Sequence, residues 1–105
     1  MIAISSTGNS LNASMDKFFA RCSYFLLFNK KNNSYEFIEN IYRTVSENAG
    51  LLTVDMLLKK KVRTVISGEF GMKVKSLLDE HKIQMVLISD LNKPINDIIT
   101  LLKGK

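Results

Sequence analysis

The stretch VRTVISGEFGMKVKSLLDEHKIQMVLI, residues 62–88, decides the fold class. It begins and ends with short apolar runs of strand length, at residues 62–67 and 83–88. Between these runs, apolar residues recur at the spacing of one helix face, and they are Phe70, Val74, Leu77 and Leu78. A strand, a helix running to about His81 and a second strand predict a right-handed crossover between parallel strands. The stretch therefore predicts an α/β protein.

The sequence before this stretch predicts three more strands. MIAIS is a short apolar run, and YFLLFN (24–29) lacks polar alternation, which is typical of a strand buried on both faces. The turn residues KKNNS separate it from YEFIEN (35–40), so that residues 24–40 are predicted to form an antiparallel hairpin. We expect the intervening segment MDKFFARC to form a helical turn or to stay irregular.

Two further helices are predicted, one on each side of residues 62–88. The first starts near Ser46 or Asn48 and has an apolar face that includes Leu51, Val54, Met56, Leu57 and Leu58. It ends in three lysines, 59–61, which favour the negative end of the helix dipole. The second carries Ile95, Ile98, Ile99 and Leu102, with Pro94 in its first turn. We therefore expect one mixed five-stranded sheet with helices packed on it, formed by a single domain of residues 1–105.

Composition limits the class of protein further. The chain is 46% hydrophobic and 24% charged, which is typical of a compact soluble protein. We expect no association with a membrane, because no apolar run approaches the roughly 18 residues of a spanning helix. A single cysteine and the lack of a signal-peptide pattern favour a cytoplasmic location. The net charge is +5, but no aromatics lie among the lysines of 59–63, 73–75 and 82, so we expect no specific nucleic-acid binding.

The usual catalytic motifs are missing from the sequence. His81 is the only histidine and has no second histidine or cysteine nearby for a metal site. The chain contains neither a serine nucleophile elbow nor a glycine-rich phosphate loop of the common types. The first strand ends in Ser5 and Ser6 and the fourth in Ser67, where a two-metal nuclease would need carboxylates. We therefore predict a protein that is not an enzyme.

Small polar loops follow two of the predicted strands and are candidates for a binding site. STGNS, with Gly8, follows the first strand, and SGEFG (67–71) follows the fourth and opens a helix. Ligands of open α/β sheets bind in the crevice beyond the carboxyl ends of the strands. Free amides at a helix start favour an anion there. Gly8, Ser67, Gly68 and Gly71 are thus predicted to contact a ligand, and the alternative is that Gly68 and Gly71 only make the turn.

Taken together, these segments resemble a known family. The opening IAISSTGNSLNASMDKFFARCSYFLLF, with its Asp-x-x-Phe-x-Arg-Cys segment, resembles the dinitrogenase iron–molybdenum cofactor biosynthesis family. The similarity continues through YEFIEN, NAGLLTVDMLLKKKVRTVISGEFGMKVKSLL and LLDEHKIQMVLI, and so covers nearly the whole chain. Two features depart from the family pattern: TVSENAG has one glycine and no histidine, and His81-Lys82-Ile83 lacks the usual glycine.

The resemblance implies a ribonuclease-H-like three-layer fold, with helices on both faces of the mixed five-stranded sheet and without the nuclease carboxylates. It also implies binding of an iron–sulfur or iron–molybdenum cofactor precursor, which the protein passes between assembly proteins without catalysis. The alternative is a degenerate ribonuclease-H-like domain that binds protein or nucleic acid through its basic second half.

Cys22, beside Arg21, has three interpretations. It is a buried inert thiol, a redox-sensing thiol without a resolving partner, or a thiolate ligand to iron. In the last case Arg21 is predicted to help ionise the thiol and to bind the cofactor by balancing the charge of an anionic cluster. As a ligand, the thiol should be reachable and partly ionised. Protein-bound iron–sulfur centres usually use four thiolates. Binding through Cys22 would therefore be labile, shared across a weak homodimer, or completed by ligands that the cofactor brings to a monomer.

Overall fold

The computed structural model describes residues 1–90 and 92–104. Its elements are β1 (Ile2–Ser6), β2 (Tyr24–Asn29), β3 (Ser34–Glu39), α1 (Ala49–Lys59), β4 (Thr64–Ser67), α2 (Met72–Glu80), β5 (Gln84–Leu87) and α3 (Ile95–Lys103). The five strands form one sheet in the order β3-β2-β1-β4-β5. β2 is antiparallel to both β1 and β3, whereas β4 is parallel to both β1 and β5. The predicted mixed five-stranded sheet is therefore confirmed.

Helices cover both faces of the sheet. Phe25 and Leu27 of β2 pack in one core with residues of α1 and α2. Leu26 and Phe28 point to the other face, where they pack in a second core with residues of α3. Burying a side chain of this size contributes roughly 1.5–3 kcal/mol. β2 therefore contributes side chains to both cores, as the sequence predicts for a strand that is buried on both faces.

Several element boundaries differ from the predicted ones because the chain makes specific backbone bonds there. β4 begins at Thr64, two residues later than expected, since the Val62 N–H donates to the carbonyl of Leu57 and closes the end of α1. α2 begins at Met72, and Phe70 precedes it in the non-helical connection that follows β4. Phe70 is nevertheless buried, with its ring 5.4 Å from that of Phe19.

In the described part of the chain, no helix combines the length and the apolar character needed to cross a membrane.

Candidate functional site

The crevice beyond the carboxyl ends of β1 and β4 is filled by the chain itself. The segment 14–18 lies across these two strand ends without forming a helix, so the first part of MDKFFARC takes the irregular form that was one of its two expected conformations. The Asp16 N–H donates to the carbonyl of Ser5 at 2.9 Å, and the Glu69 N–H donates to that of Lys17 at 2.8 Å. The predicted ligand crevice is therefore not open at this edge of the sheet.

Ser67 lies beneath this segment and has no surface to offer a ligand. Its side chain is fully buried, and its hydroxyl oxygen lies 2.8 Å from that of Ser5. The Ser5 hydroxyl in turn donates to the carbonyl of Asp16 at 2.8 Å. Ser67 is therefore not available to a ligand, contrary to the expectation. Its hydroxyl and that of Ser5 instead lie within hydrogen-bond distance of the backbone carbonyls of the segment that crosses the strand ends.

Gly8 and Gly68 line none of three main cavities at the surface of the described residues. The carbonyl of Gly8 accepts a hydrogen bond from the Ser6 hydroxyl at 2.6 Å, which makes a tight turn after β1. Gly68 is half-buried in the connection that leads from β4 to the paired Glu69. Both residues act in turns in this structure.

An open cleft lies instead between the N-termini of α1 and α2. Its volume is about 440 Å³. Arg21 and Gly71, two of the predicted site residues, line it. The other lining residues are Ala20, Asn48, Ala49, Gly50, Leu51, Met72, Lys73, Val74 and Leu77. Two of the predicted site residues thus lie together at this cleft, and the residues of α1 that line it were not predicted from the sequence.

Both helices present free amide groups to this cleft. Neither Asn48 nor Gly71, which precede α1 and α2, makes a side-chain cap, and neither first turn contains an acidic residue. The first intrahelical bonds run from Leu52 to the carbonyl of Asn48 and from Lys75 to that of Gly71. Earlier N–H groups of each helix have no acceptor within residues 1–90 and 92–104. Two positive helix-dipole ends therefore meet at one opening.

Two cations reinforce this positive field. The cleft lining includes Arg21 and Lys73 and no carboxylate. The Nη1 atom of Arg21 donates to the carbonyls of Arg43, at 2.9 Å, and Val45, at 2.6 Å. These bonds hold the guanidinium in place and leave its Nη2 and Nε hydrogens for a ligand. The remaining lining is largely apolar, so the cleft suits an anion with a weakly hydrated surface.

Two glycines shape the cleft in different ways. Gly71 has φ −67° and ψ 160°, which any residue adopts, and an added Cβ would contact nothing within 4 Å. The turn therefore does not require glycine here, and the missing side chain leaves the opening free. Gly50 has the opposite role, because its Cβ would lie 2.8 Å from Cγ2 of Val74. A lone glycine costs a helix about 1 kcal/mol relative to alanine. Gly50 is therefore the feature of the sequence that could have indicated close packing at the start of α1.

Cys22 lies outside the cleft lining and in the core. Its side chain is fully buried, and burial, followed by the nearby Asp16 carboxylate, raises the pKa of its thiol to about 12. Arg21 is engaged with the carbonyls of the 43–45 segment instead of ionising the thiol. The expected reachable, partly ionised thiol is therefore not what the structure shows, which favours the buried-thiol interpretation. No group of three or more metal-ligating residues occurs in the described ranges.

The raised pKa of Cys22 predicts a loss of stability in alkali. Its folded pKa of about 12 exceeds the ordinary cysteine value of 9.0, so the unfolded chain releases this proton first as the pH rises. Below pH 9 the group contributes no pH dependence, and above pH 9 the free energy of unfolding should fall by up to about 1.4 kcal/mol per pH unit. Urea unfolding of wild type and Cys22→Ala between pH 8 and 10 measures this difference.

The Cys22→Ala variant is the control, because all other titrating groups are shared. Parallel pH curves for the two proteins would contradict the buried-thiol assignment, as would rapid labelling of native Cys22 by a thiol reagent at pH 8.

Comparison with known proteins places the chain in a family. Residues 1–104 match the family model described as dinitrogenase iron–molybdenum cofactor. The chain belongs to this family. The recognition made from sequence segments is thereby confirmed. No significant match exists among curated proteins.

Two solved structures have the same fold. One is the apo form of the orange protein from Desulfovibrio gigas, with a TM-score of 0.86 and 24% identity over 98% of this chain and 87% of that one. The other is an NMR structure of a Thermotoga protein provisionally named as NifB, with a TM-score of 0.82 and 21% identity over 98% of this chain and 86% of that one. At these identities the likeness concerns the fold alone, whereas the family suggests a cofactor-binding or accessory role.

Proposed function

We propose that the protein is a non-enzymatic carrier that binds an anionic iron–sulfur or iron–molybdenum cofactor precursor and passes it between assembly proteins. The observation that carries this proposal is the cleft where two uncapped helix N-termini meet Arg21 and Lys73, in a chain of the iron–molybdenum cofactor family. Free N–H groups and cations together stabilise negative charge. We place the ligand here and exclude Gly8, Ser67 and Gly68 from the site.

Binding in this cleft is non-covalent in our proposal. Cys22 is buried and protonated near neutral pH, so it does not supply the thiolate that iron prefers. The precursor must then bring its own sulfide ligands, whose outer atoms accept hydrogen bonds from the amides of α1 and α2. Such binding is labile, which suits a carrier that must release its ligand.

The finer fold assignment belongs to the same proposal. The strand order β3-β2-β1-β4-β5, in which β2 alone runs opposite to the other four strands, supports a ribonuclease-H-like fold. Ser5 and Ser67 lie near the ends of β1 and β4, where a two-metal nuclease would need carboxylates. We propose that this single domain acts in the cytoplasm, as a monomer or a weak homodimer.

Charge reversal at Lys73 tests the site. With tetrathiomolybdate as an anionic, sulfide-ligated probe, Lys73→Glu should weaken binding at least about tenfold, or 1.4 kcal/mol. The matched control is Lys75→Glu, which makes the same change on an exposed residue of α2 that does not line the cleft. Anaerobic titration followed by visible absorption gives both dissociation constants. Equal losses of affinity in the two variants would show that binding depends only on net charge, and would contradict the proposed site.

Two further variants separate the cleft from the thiol. Gly71→Val should block the probe while changing the free energy of unfolding by less than about 0.5 kcal/mol, because its Cβ points into open space. Folded Cys22→Ser should bind the probe like wild type. Loss of binding in Cys22→Ser, with Gly71→Val unaffected, would restore the thiolate-ligand hypothesis.

A further inference from the structure

A second concavity, of about 420 Å³, lies at the opposite end of α1. It is lined by Lys30 and Lys31 of the β2–β3 turn and by Lys60 and Lys61, which follow α1. We call these four residues the lysine surface. Met1 and Asn29 complete the lining, which contains no carboxylate. Two segments distant in sequence therefore bring four positive charges around one depression.

The hydrogen bonds at the end of α1 do not require the lysine side chains. The carbonyls of Leu57 and Leu58 accept hydrogen bonds from the backbone N–H groups of Lys60, Lys61 and Val62, so they need no lysine side chain. Lys59 is different, since its Nζ lies 3.1 Å from the Asp55 carboxylate in the only ion pair of the described residues. Neither Lys60 nor Lys61 forms an ion pair with another described residue, so their ammonium groups are available to a partner.

The hairpin turn likewise does not depend on its lysine side chains. The side-chain oxygen of Asn29 accepts a hydrogen bond from the Lys31 N–H, and that of Asn32 accepts one from the Ser34 N–H. Asparagine side chains close turns of this kind by themselves. Lys30 and Lys31 are exposed and extend into solvent beside Lys60 and Lys61.

We propose that the lysine surface docks a carboxylate-rich segment of a partner protein. A nucleic acid fits less well, because the lining offers no aromatic ring for stacking and no arginine for bidentate phosphate contacts. The lysines also surround one depression that holds a few side chains, and they do not form a track for a backbone of phosphates. Ammonium–carboxylate pairs exposed to water are individually weak and favour fast, salt-sensitive association.

The position of the lysine surface allows docking while the cleft stays open. The cleft is lined by the start of α1 and the lysine surface by its end. An eleven-residue helix separates them by about 16 Å, at 1.5 Å per residue. A partner held at one end of α1 would therefore leave the other end free to exchange a ligand, although docking does not depend on what the cleft binds.

An octaglutamate peptide tests this inference, with an oligothymidylate of similar charge as the comparison. In NMR titrations at about 50 mM salt, where surface charges are weakly screened, peptide-induced shifts should centre on residues 29–31 and 60–62. Lys31→Gln/Lys60→Gln should weaken peptide binding at least fivefold. Lys75→Gln/Lys103→Gln, which removes the same charge from exposed positions elsewhere, should change it less than twofold.

Three outcomes would overturn the inference. These are an equal loss in both double variants, shifts centred away from the lysine surface, and tighter binding of the oligothymidylate than of the peptide. Lys31→Gln/Lys60→Gln should still bind tetrathiomolybdate like wild type, so the result is independent of the proposed cleft ligand.

Discussion

Replacing Asn40 by aspartate will lower the free energy of unfolding by about 3 kcal/mol or more at pH 7. The Asn40 side chain is 1% exposed, and its Nδ2 donates to the carbonyls of Ala20, at 2.9 Å, and Cys22, at 3.0 Å. A carboxylate of the same shape would place an oxygen against these two acceptors and leave both without a donor. Buried polar groups without partners cost about 1–3 kcal/mol each, and a buried charge costs more.

The other side of the Asn40 amide would be preserved. Its Oδ1 accepts hydrogen bonds from the Tyr42 N–H at 3.2 Å and the Thr53 hydroxyl at 3.5 Å, and an aspartate could accept both. The loss therefore comes from the two carbonyls and from burial, which disfavours the charged form and raises the pKa of the new carboxyl group. Since a raised pKa means that protonation stabilises the folded state, part of the lost stability should return as the pH falls from 7 to 5.

Urea unfolding at the two pH values measures both effects. Asn12→Asp is the matched control, because Asn12 is exposed and the same change there should cost less than about 0.5 kcal/mol. A loss below 1 kcal/mol for Asn40→Asp, or a loss that grows at low pH, would show that Asn40 does not connect these segments as described.

Asn40 also shows what sequence patterns could and could not predict. The pattern YEFIEN predicts Asn40 as the last residue of a strand, whereas it lies just beyond β3 and joins segments 20–22, 42 and 53. These partners are 13 to 20 residues away along the chain for Ala20, Cys22 and Thr53. Local periodicity predicts strands and helices because these elements depend on residues that are near in sequence. The role of a buried polar side chain such as Asn40 depends on tertiary contacts, which the pattern does not show.

The candidate site follows the same division. Arg21 and Gly71 could be proposed from local signals, a charged residue beside a cysteine and a glycine at a helix start. Lys73 resembles any exposed lysine, and only the packing of α2 against α1 brings it to the cleft. The crevice at the strand ends was expected to be open, since nothing in the pattern of 14–18 shows that this segment crosses Ser5 and Ser67. Which opening a fold leaves free is thus a tertiary property.

The packing of α1 on α2 leads to the second large effect, at Gly50. Gly50→Val should lower the free energy of unfolding by about 2–3 kcal/mol. Its Cβ alone would lie 2.8 Å from Cγ2 of Val74, which is itself buried and has little room to move. Relief requires the N-termini of the two helices to separate, and these are the ends that line the cleft. The variant should therefore also bind tetrathiomolybdate more weakly than wild type.

A double-mutant cycle distinguishes this clash from a change in helix propensity. Gly50→Ala alone gains up to about 1 kcal/mol of helix propensity and loses more than this to the contact with Val74. In a Val74→Ala background the contact atom is gone, so Gly50→Ala should become neutral or stabilising, with a coupling energy of about 1 kcal/mol or more. For Gly50→Val the control is Leu51→Val, which also places a β-branched residue in the first turn of α1 but at an exposed position. Additive effects in the cycle would mean that α1 and α2 do not approach through Gly50, and the cleft between their N-termini would then have to be placed differently.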